Sequence, residues 1–370
     1  MRIGYLTSDS VNEGVGQSQI LPVLKKLAQK GVAISLVSFE KNKQYSNIYQ
    51  NLVTNGIDWN PQEFGSFGLG GGVMRAAKLF SVIGEYDLIH ARSDLPAVAA
   101  YLRHGQTPYL WDVRSLWALQ RYETSEKNLN SKAEFILGSK LEKIAAKNCS
   151  GFSTLTRSIL PYLLDKYPSL PKLHETNPTV VDLDTFSVSE LNLNQITCLI
   201  VGTMNSFYDI DRTNKILLNL AKFINLKIVW ARGQESTTAK SAICADQVLE
   251  LSHEEMPKSI RNSSFGIAIG KFNQNEWVKA VSPTKVAEFL ASGRPVIVSA
   301  GIGDLDYQIR EFNAGIILQG SETPKEIANA LMALLEDPST VERCRALAEK
   351  YYSLDNTVSK YLSLYKRILD

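Results

Sequence analysis

Short apolar runs alternate along the chain with longer segments whose apolar residues recur at helical spacing. This rhythm predicts repeated βαβ units and a parallel sheet. In the first half, strands are expected at RIGYLT, VAISLVSF, YDLIHA, PYLWDV and GFSTLT. In the second half they are expected at TCLIVG, LKIVWA, QVLELS, FGIAIG, PVIVSA and AGIILQ. One ordinary doubly wound sheet does not hold so many, so two sheets are predicted. Between the halves, Pro168 to Asn194 is rich in Pro, Asn, Ser and Asp, has no sustained period apart from VVDLD, and is the expected linker. The closing segment from Asn356 to Leu369 sets Val358, Tyr361, Leu362, Leu364, Tyr365 and Ile368 on one helical stripe that must be buried. The glycines from Gly68 to Gly72 predict a flexible loop before a helix starting near Val73.

Length agrees with two cores, because 370 residues at 44% hydrophobic content exceed the usual single domain. Charge removes one class of partner. The 40 Lys and Arg nearly balance 38 Asp and Glu, and no basic block of nucleic-acid type occurs, so no nucleic acid partner is expected. The first strand begins at Arg2 with no charged leader, and no apolar stretch is long enough to span a bilayer. Cys149, Cys198, Cys244 and Cys344 are isolated, as are the histidines, which predicts a cytoplasmic protein without a structural zinc. The basic helix SKAEFILGSKLEKIAAKN leaves two readings open. Lys132, Lys140, Lys143 and Lys147 among apolar residues suit peripheral contact with the inner face of a membrane, whereas Glu134 and Glu142 suit an ordinary solvated helix.

Candidate chemistry gathers at strand ends. After RIGYLT, Gly14 and Gly16 lie at a helix start, where a backbone can approach a phosphate or sugar, or simply turn tightly. As a dinucleotide fingerprint the stretch fails, since Gln19 holds the third glycine's place and the acid at the end of the second strand, Glu40, is weak corroboration. In VSPTKVAEFLASGRPVIVSAGIGD, a helix stops at Gly293. Glu288 on that helix lies among Val286, Ala287, Phe289 and Leu290, which suits hydrogen bonding to ribose hydroxyls, and Lys285 shares its face and suits a diphosphate. An amphipathic helix with a surface Lys–Glu pair is the alternative.

These pieces, taken in order, resemble a glycosyltransferase of the two-Rossmann type (GT-B), similar to family four of the sugar-nucleotide glycosyltransferases. The resemblance rests on GVGQSQILPVLKKLAQKG, DLIHARSDLPA, YLWDVRSLW, FSTLTRSI, VVDLDTF, LIVGTMNSFYDIDR, LSHEEMPKSIRNSSFGIAI and SPTKVAEFLASGRPVI, and covers nearly the whole chain. It implies two Rossmann-like α/β domains facing each other across a cleft. Residues 1–186 would form the acceptor domain, with a C-terminal helix over 355–370 packing back on it, and residues 187–354 the nucleotide-sugar donor domain.

The resemblance also implies roles. Glu288 matches the second glutamate of the family's paired motif and would hold the donor ribose, while Ala280 stands where the first would be and Glu276 is poorly placed to replace it. The S-P-x-K form resembles a subgroup in which the lysine contacts the donor diphosphate, and Lys285, with Ser282 and Thr284, matches it. Where many relatives carry cations after the first strand of the donor domain, Thr203 and Asn205 stand, with Arg212 downstream. Arg232, at the end of LKIVWA, therefore pairs with Lys285 as the expected cations for the diphosphate. LSHEEMP resembles the loop framing the base, with His253 a cap or surface residue. YLWDVRSLW resembles D-x-R-G-x-W with Ser115 for glycine, so Asp112 would accept the acceptor's proton, orient the acceptor, or merely cap the next segment. His90, Arg92 and Arg114 would face the same cleft.

The D-x-D pairs Asp182/Asp184, Asp209/Asp211 and Asp304/Asp306 read as the interdomain segment and helix starts, so no metal is expected. The implied activity is transfer of a hexose from a nucleotide-diphosphate sugar to a hydroxyl of a glycan or lipid-linked acceptor, with retention. A non-catalytic nucleotide-sugar binding protein and a sugar-nucleotide epimerase are the alternatives.

Overall fold

In the computed structural model, which describes the chain apart from residues 43–45, 67, 83, 104–106, 205–206, 234–238, 240–241 and 272–274, every apolar run named above is a strand. The chain forms two compact units, Met1–Pro178 with Leu354–Asp370, and Thr179–Ser353. The expected boundary at 186/187 lies eight or so residues too late by this division. Val180, Val181 and Phe186 are buried, Val181 bridges to Ser353, and Arg345 donates to the carbonyls of Leu183 and Phe186, so this segment is held by the second unit.

The first unit carries β1 (Arg2–Thr7), β2 (Ala33–Glu40), β3 (Ile57–Glu63), β4 (Leu88–Arg92), β5 (Tyr109–Val113), β6 (Gly151–Thr154) and β7 (His174–Thr176). They form one parallel sheet in the order β3-β2-β1-β4-β5-β6-β7. Two of these strands were not predicted, and both are edges. In β3 the alternation stops after Ile57 and Trp59, and Pro61 lacks the N–H that a central strand would need. β7 is only the half-buried tripeptide His-Glu-Thr. The helix Leu354–Leu369 belongs to this unit and buries Val358, Tyr361, Leu364 and Tyr365.

The glycine cluster is a correction. A helix spans Gly68–Val82, beginning within the glycines rather than near Val73. A Cβ at Gly71 would stand 1.8 Å from the Ser66 carbonyl oxygen, so the first turn packs against the chain before it, and Arg75 donates to the carbonyls of Phe64 and Ser66. At Gly71 the missing side chain serves close packing, whereas Gly68, at φ of +82°, and Gly70 and Gly72 have open space around them.

The second unit carries β8 (Ile196–Val201), β9 (Leu226–Arg232), β10 (Gln247–Glu250), β11 (Phe265–Ala268), β12 (Val296–Ser299) and β13 (Gly315–Leu318), all parallel, in the order β10-β9-β8-β11-β12-β13. This is the Rossmann order, with its switch point between β8 and β11. Ile200, Leu217, Trp230, Phe265 and Ile297 lie in its core. The helix Thr284–Ala291 is seated by one close contact. Gly266 of β11 has no Cβ, and one placed there would meet the Phe289 ring at 2.4 Å. The buried ring contributes roughly 2 kcal/mol, and it fixes the helix that presents Lys285 and Glu288. Among the described residues no helix is long and apolar enough to cross a membrane.

Candidate functional site

The carboxyl edge of the second sheet brings Lys285 and the end of β9 to Gly202. This residue follows β8 with φ of +82° and donates its N–H to the Ala231 carbonyl at 2.7 Å, beside Arg232. The loop after Gly202 is stitched to the end of β11: Asp209 donates to Ile269, Lys271 to Phe207, and Tyr208 bridges to Gly270. Tyr208 thereby sits at the switch point, where open α/β sheets bind ligands.

Lys285 reaches this point from its helix. Its Nζ lies 3.9 Å from the centroid of the Tyr208 ring and 3.9 Å from where a Gly202 Cβ would be. The ammonium is buried and has no hydrogen-bond partner among the described residues. Burial, partly offset by Glu288, pulls its pKa down to about 7. Burial likewise raises Glu288 to about 7 against the pull of Lys285. The two groups feel each other's charge, yet no ion pair forms between them, so each keeps its capacity for a ligand. This is not the surface Lys–Glu pair of the alternative reading.

The remaining donor candidates divide. Arg232 ends β9 buried, over Trp230, with Glu250 3.8 Å from its Nε. Ser282 is engaged internally, its Oγ accepting from the Thr179 N–H at 3.2 Å and lying 2.9 Å from the Thr179 hydroxyl. Thr284 opens the helix half-buried, Thr203 is exposed, and Asn205 lies outside the described residues. His253 is exposed in a turn.

In the first unit the loop after β1 is closed from within. The Glu40 carboxylate accepts from the Val11 and Asn12 amides and from the Ser10 and Ser38 hydroxyls. Glu40 thus occupies backbone donors of the kind that a glycine-rich loop offers a phosphate. Gly14, at φ of +40°, has open space around it, while a Cβ on Gly16 would strike the Ser10 carbonyl oxygen at 2.1 Å. Gly16 is therefore a packing glycine.

Asp112 ends β5 fully buried. Its Oδ1 accepts from Ser153 at 2.6 Å and lies 3.4 Å from the Tyr361 hydroxyl and 3.6 Å from Arg114. Its Oδ2 faces His90 at 3.3 Å and Arg92 at 3.7 Å. Burial would raise its pKa, but Arg114, His90 and Arg92 together hold it well below the usual carboxylate range. Such a carboxylate is a weak base. His90 is also fully buried, its Nδ1 2.6 Å from the Tyr365 hydroxyl, and burial lowers its pKa against Asp112. Arg92 reaches across the β1/β4 switch point to Asp9 at 3.0 Å. Asp112 and His90 thus form a buried anchor beneath Arg92 and the partly accessible Arg114.

Sequence reasoning missed Tyr208, Tyr361, Tyr365 and Glu40 as site builders. A signal existed for two of them, because buried tyrosines on a helical stripe need partners for their hydroxyls. One acid of each D-x-D pair serves the backbone: Asp182 accepts from Asp184 N, Asp209 from Arg212 N, and Asp306 from Gly301 N.

No family model and no curated relative matches the chain. Solved structures do match. Anabaena HepE in complex with UDP and glucose aligns with a TM-score of 0.70 at 12% identity, over 99% of this chain and 100% of its own. A glycosyltransferase from Rickettsia africae aligns at 0.69 and 16% identity, over 100% of this chain and 98% of that one. A TarM variant from S. aureus, in complex with Fondaparinux, alpha-GlcNAc-glycerol and UDP, aligns at 0.67 and 10% identity, over 98% and 99%. At these identities the likeness establishes the fold: two Rossmann-like α/β units, the GT-B architecture of these glycosyltransferases.

Proposed function

We propose that the chain is a glycosyltransferase that moves a hexose, with retention and without a metal ion, from a nucleotide-diphosphate sugar to a hydroxyl of a glycan or lipid-linked acceptor. The observation that carries this reading is the Lys285 ammonium at the switch point of the second sheet, without a hydrogen-bond partner among the described residues, with buried Glu288 one turn along the same helix. The HepE complexes hold UDP, glucose and UDP-glucose, which supports a nucleotide sugar as ligand.

In this reading the second unit holds the donor. Lys285, Arg232 and the backbone amides of Thr284 and Lys285 at the start of Thr284–Ala291 meet the diphosphate, and Glu288 accepts from the ribose hydroxyls. The bond from the anomeric carbon to the diphosphate oxygen breaks, negative charge grows on that oxygen, and the preorganised cations stabilise it. The acceptor oxygen bonds to the same carbon and its proton passes to the departing phosphate. The first unit takes the acceptor, with Arg114 and Arg92 as contacts that Asp112 orients. Asp112 is a positioning residue here.

A thermal-shift screen against nucleotide sugars, followed by assay of the strongest ligand with a crude glycan and lipid fraction, tests the reading. Stabilisation followed by acceptor-dependent release of nucleoside diphosphate is expected. Stabilisation without release would indicate a binding protein, and donor isomerisation without acceptor an epimerase.

A further inference from the structure

The helix Leu129–Asn148 presents an outer face on which the sequence left two readings open, and the placement of its acids decides between them. Glu142 is buried, accepting from Lys166 at 2.8 Å and from the Tyr167 hydroxyl at 2.7 Å. Glu134 turns to the side and pairs with Arg121. The exposed positions are then Leu129, Asn130, Lys132, Ala133, Ile136, Leu137 and, further along, Lys140, Lys143 and Lys147. No acid remains among them.

Leu129, Ile136 and Leu137 are 83%, 55% and 41% exposed, an uncommon outlay of large aliphatic surface on one helix. None of the four lysines forms an ion pair among the described residues, and each has a stem long enough to lay its ammonium above a plane in which the aliphatics are immersed. The neighbouring helix Asp94–Arg103 adds exposed Leu102, and Trp117 is exposed where the helix Trp117–Thr124 packs at Gly138.

We propose that this face docks the chain on an anionic lipid bilayer, with the aliphatic residues entering the headgroup boundary and the lysines meeting lipid phosphates. Charge selects this occupant over a second copy of the chain, since two such faces would oppose lysine to lysine. The inference stands independently of the proposed transferase activity.

Sedimentation of the full chain with vesicles of phosphatidylglycerol and phosphatidylcholine, against phosphatidylcholine alone, tests it. Binding to the anionic vesicles that weakens with added salt is expected, together with a blue shift of Trp emission. Trp117 reports this shift because Trp59, Trp111, Trp230 and Trp277 are buried. The double variant Lys140→Glu/Lys143→Glu should lower partitioning by about 25-fold or more, at roughly fivefold per lysine. Ile136→Ser/Leu137→Ser should abolish the blue shift, and both variants should keep the wild-type thermal midpoint. Absence of binding, equal binding to neutral vesicles, or a concentration-dependent dimer broken by the lysine variant without vesicle binding would each overturn the proposal.

Discussion

The Lys285 ammonium stands 3.9 Å from the centre of the Tyr208 ring, a cation lodged against an aromatic face with no hydrogen-bond acceptor in reach. Cation–π attraction compensates only part of the cost of burying the charge, so an anionic ligand should be drawn there strongly. Lys285→Ala is expected to lower turnover by about 10²-fold or more while the thermal midpoint of the ligand-free protein holds or rises. Turnover near wild type in a steady-state assay would remove Lys285 from the site. Tyr208→Phe should be close to neutral, since the ring rather than the hydroxyl faces the cation.

Asp112→Asn tests the positioning role. The carboxylate balances His90, Arg92 and Arg114 inside the first unit, and removal of one partner from a buried charged cluster costs about 3–5 kcal/mol. A fall of this order in urea denaturation is expected, with donor affinity unchanged because the donor groups lie in the other unit. The sign of the pH effect follows from the depressed pKa. The wild-type carboxylate contributes stability at neutral pH that is lost as pH falls through and below the ordinary carboxylate range, so the variant should lose less on acidification. Unchanged stability with abolished turnover would instead make Asp112 the base.

Gly266→Ala probes how the donor helix is seated. The added methyl would meet the Phe289 ring at 2.4 Å, and overpacking of this kind costs typically about 1–3 kcal/mol. Because Phe289 lies on the helix of Lys285 and Glu288, nucleotide-sugar affinity should fall together with the midpoint. Calorimetry showing wild-type affinity would mean that the helix does not set the site.

Much of this architecture was legible because central strands of a parallel sheet are buried on both faces. Runs such as RIGYLT and TCLIVG therefore stand out as continuous apolar stretches. The edges β3 and β7 escaped because an edge strand needs neither continuous apolarity nor every N–H, as Pro61 demonstrates. Gly68–Gly72 misled for a related reason: glycine in sequence signals freedom, and only the approach to Ser66 reveals that at Gly71 it answers a lack of room. In the candidate site, Lys285 and Glu288 stood out by their place on an otherwise apolar helix. Tyr208 did not, because nothing local marks a lone tyrosine that meets Lys285 from 77 positions away. The burial of His90 and Asp112 was equally hidden, since it depends on Tyr361 and Tyr365 of a helix that returns from the far end of the chain.

The opposed shifts of Lys285 and Glu288 predict how donor affinity should depend on pH. Lys285 is drawn down to about 7, so above that pH the free protein must take up a proton before its ammonium can meet the diphosphate. Glu288 is drawn up to about 7, so below that pH the free protein must release a proton before its carboxylate can accept from the ribose. Affinity should therefore peak near neutrality and fall on both sides, by up to about tenfold per unit where one group limits. A nucleotide sugar suits the measurement because its diphosphate does not itself titrate in this range. Titration calorimetry in buffers of different ionisation enthalpy should show proton uptake on the alkaline side and release on the acid side. Lys285→Met should flatten the alkaline limb alone and Glu288→Gln the acid limb alone. Limbs that persist in both variants would place the titrating groups elsewhere and detach the Lys285–Glu288 pair from donor binding.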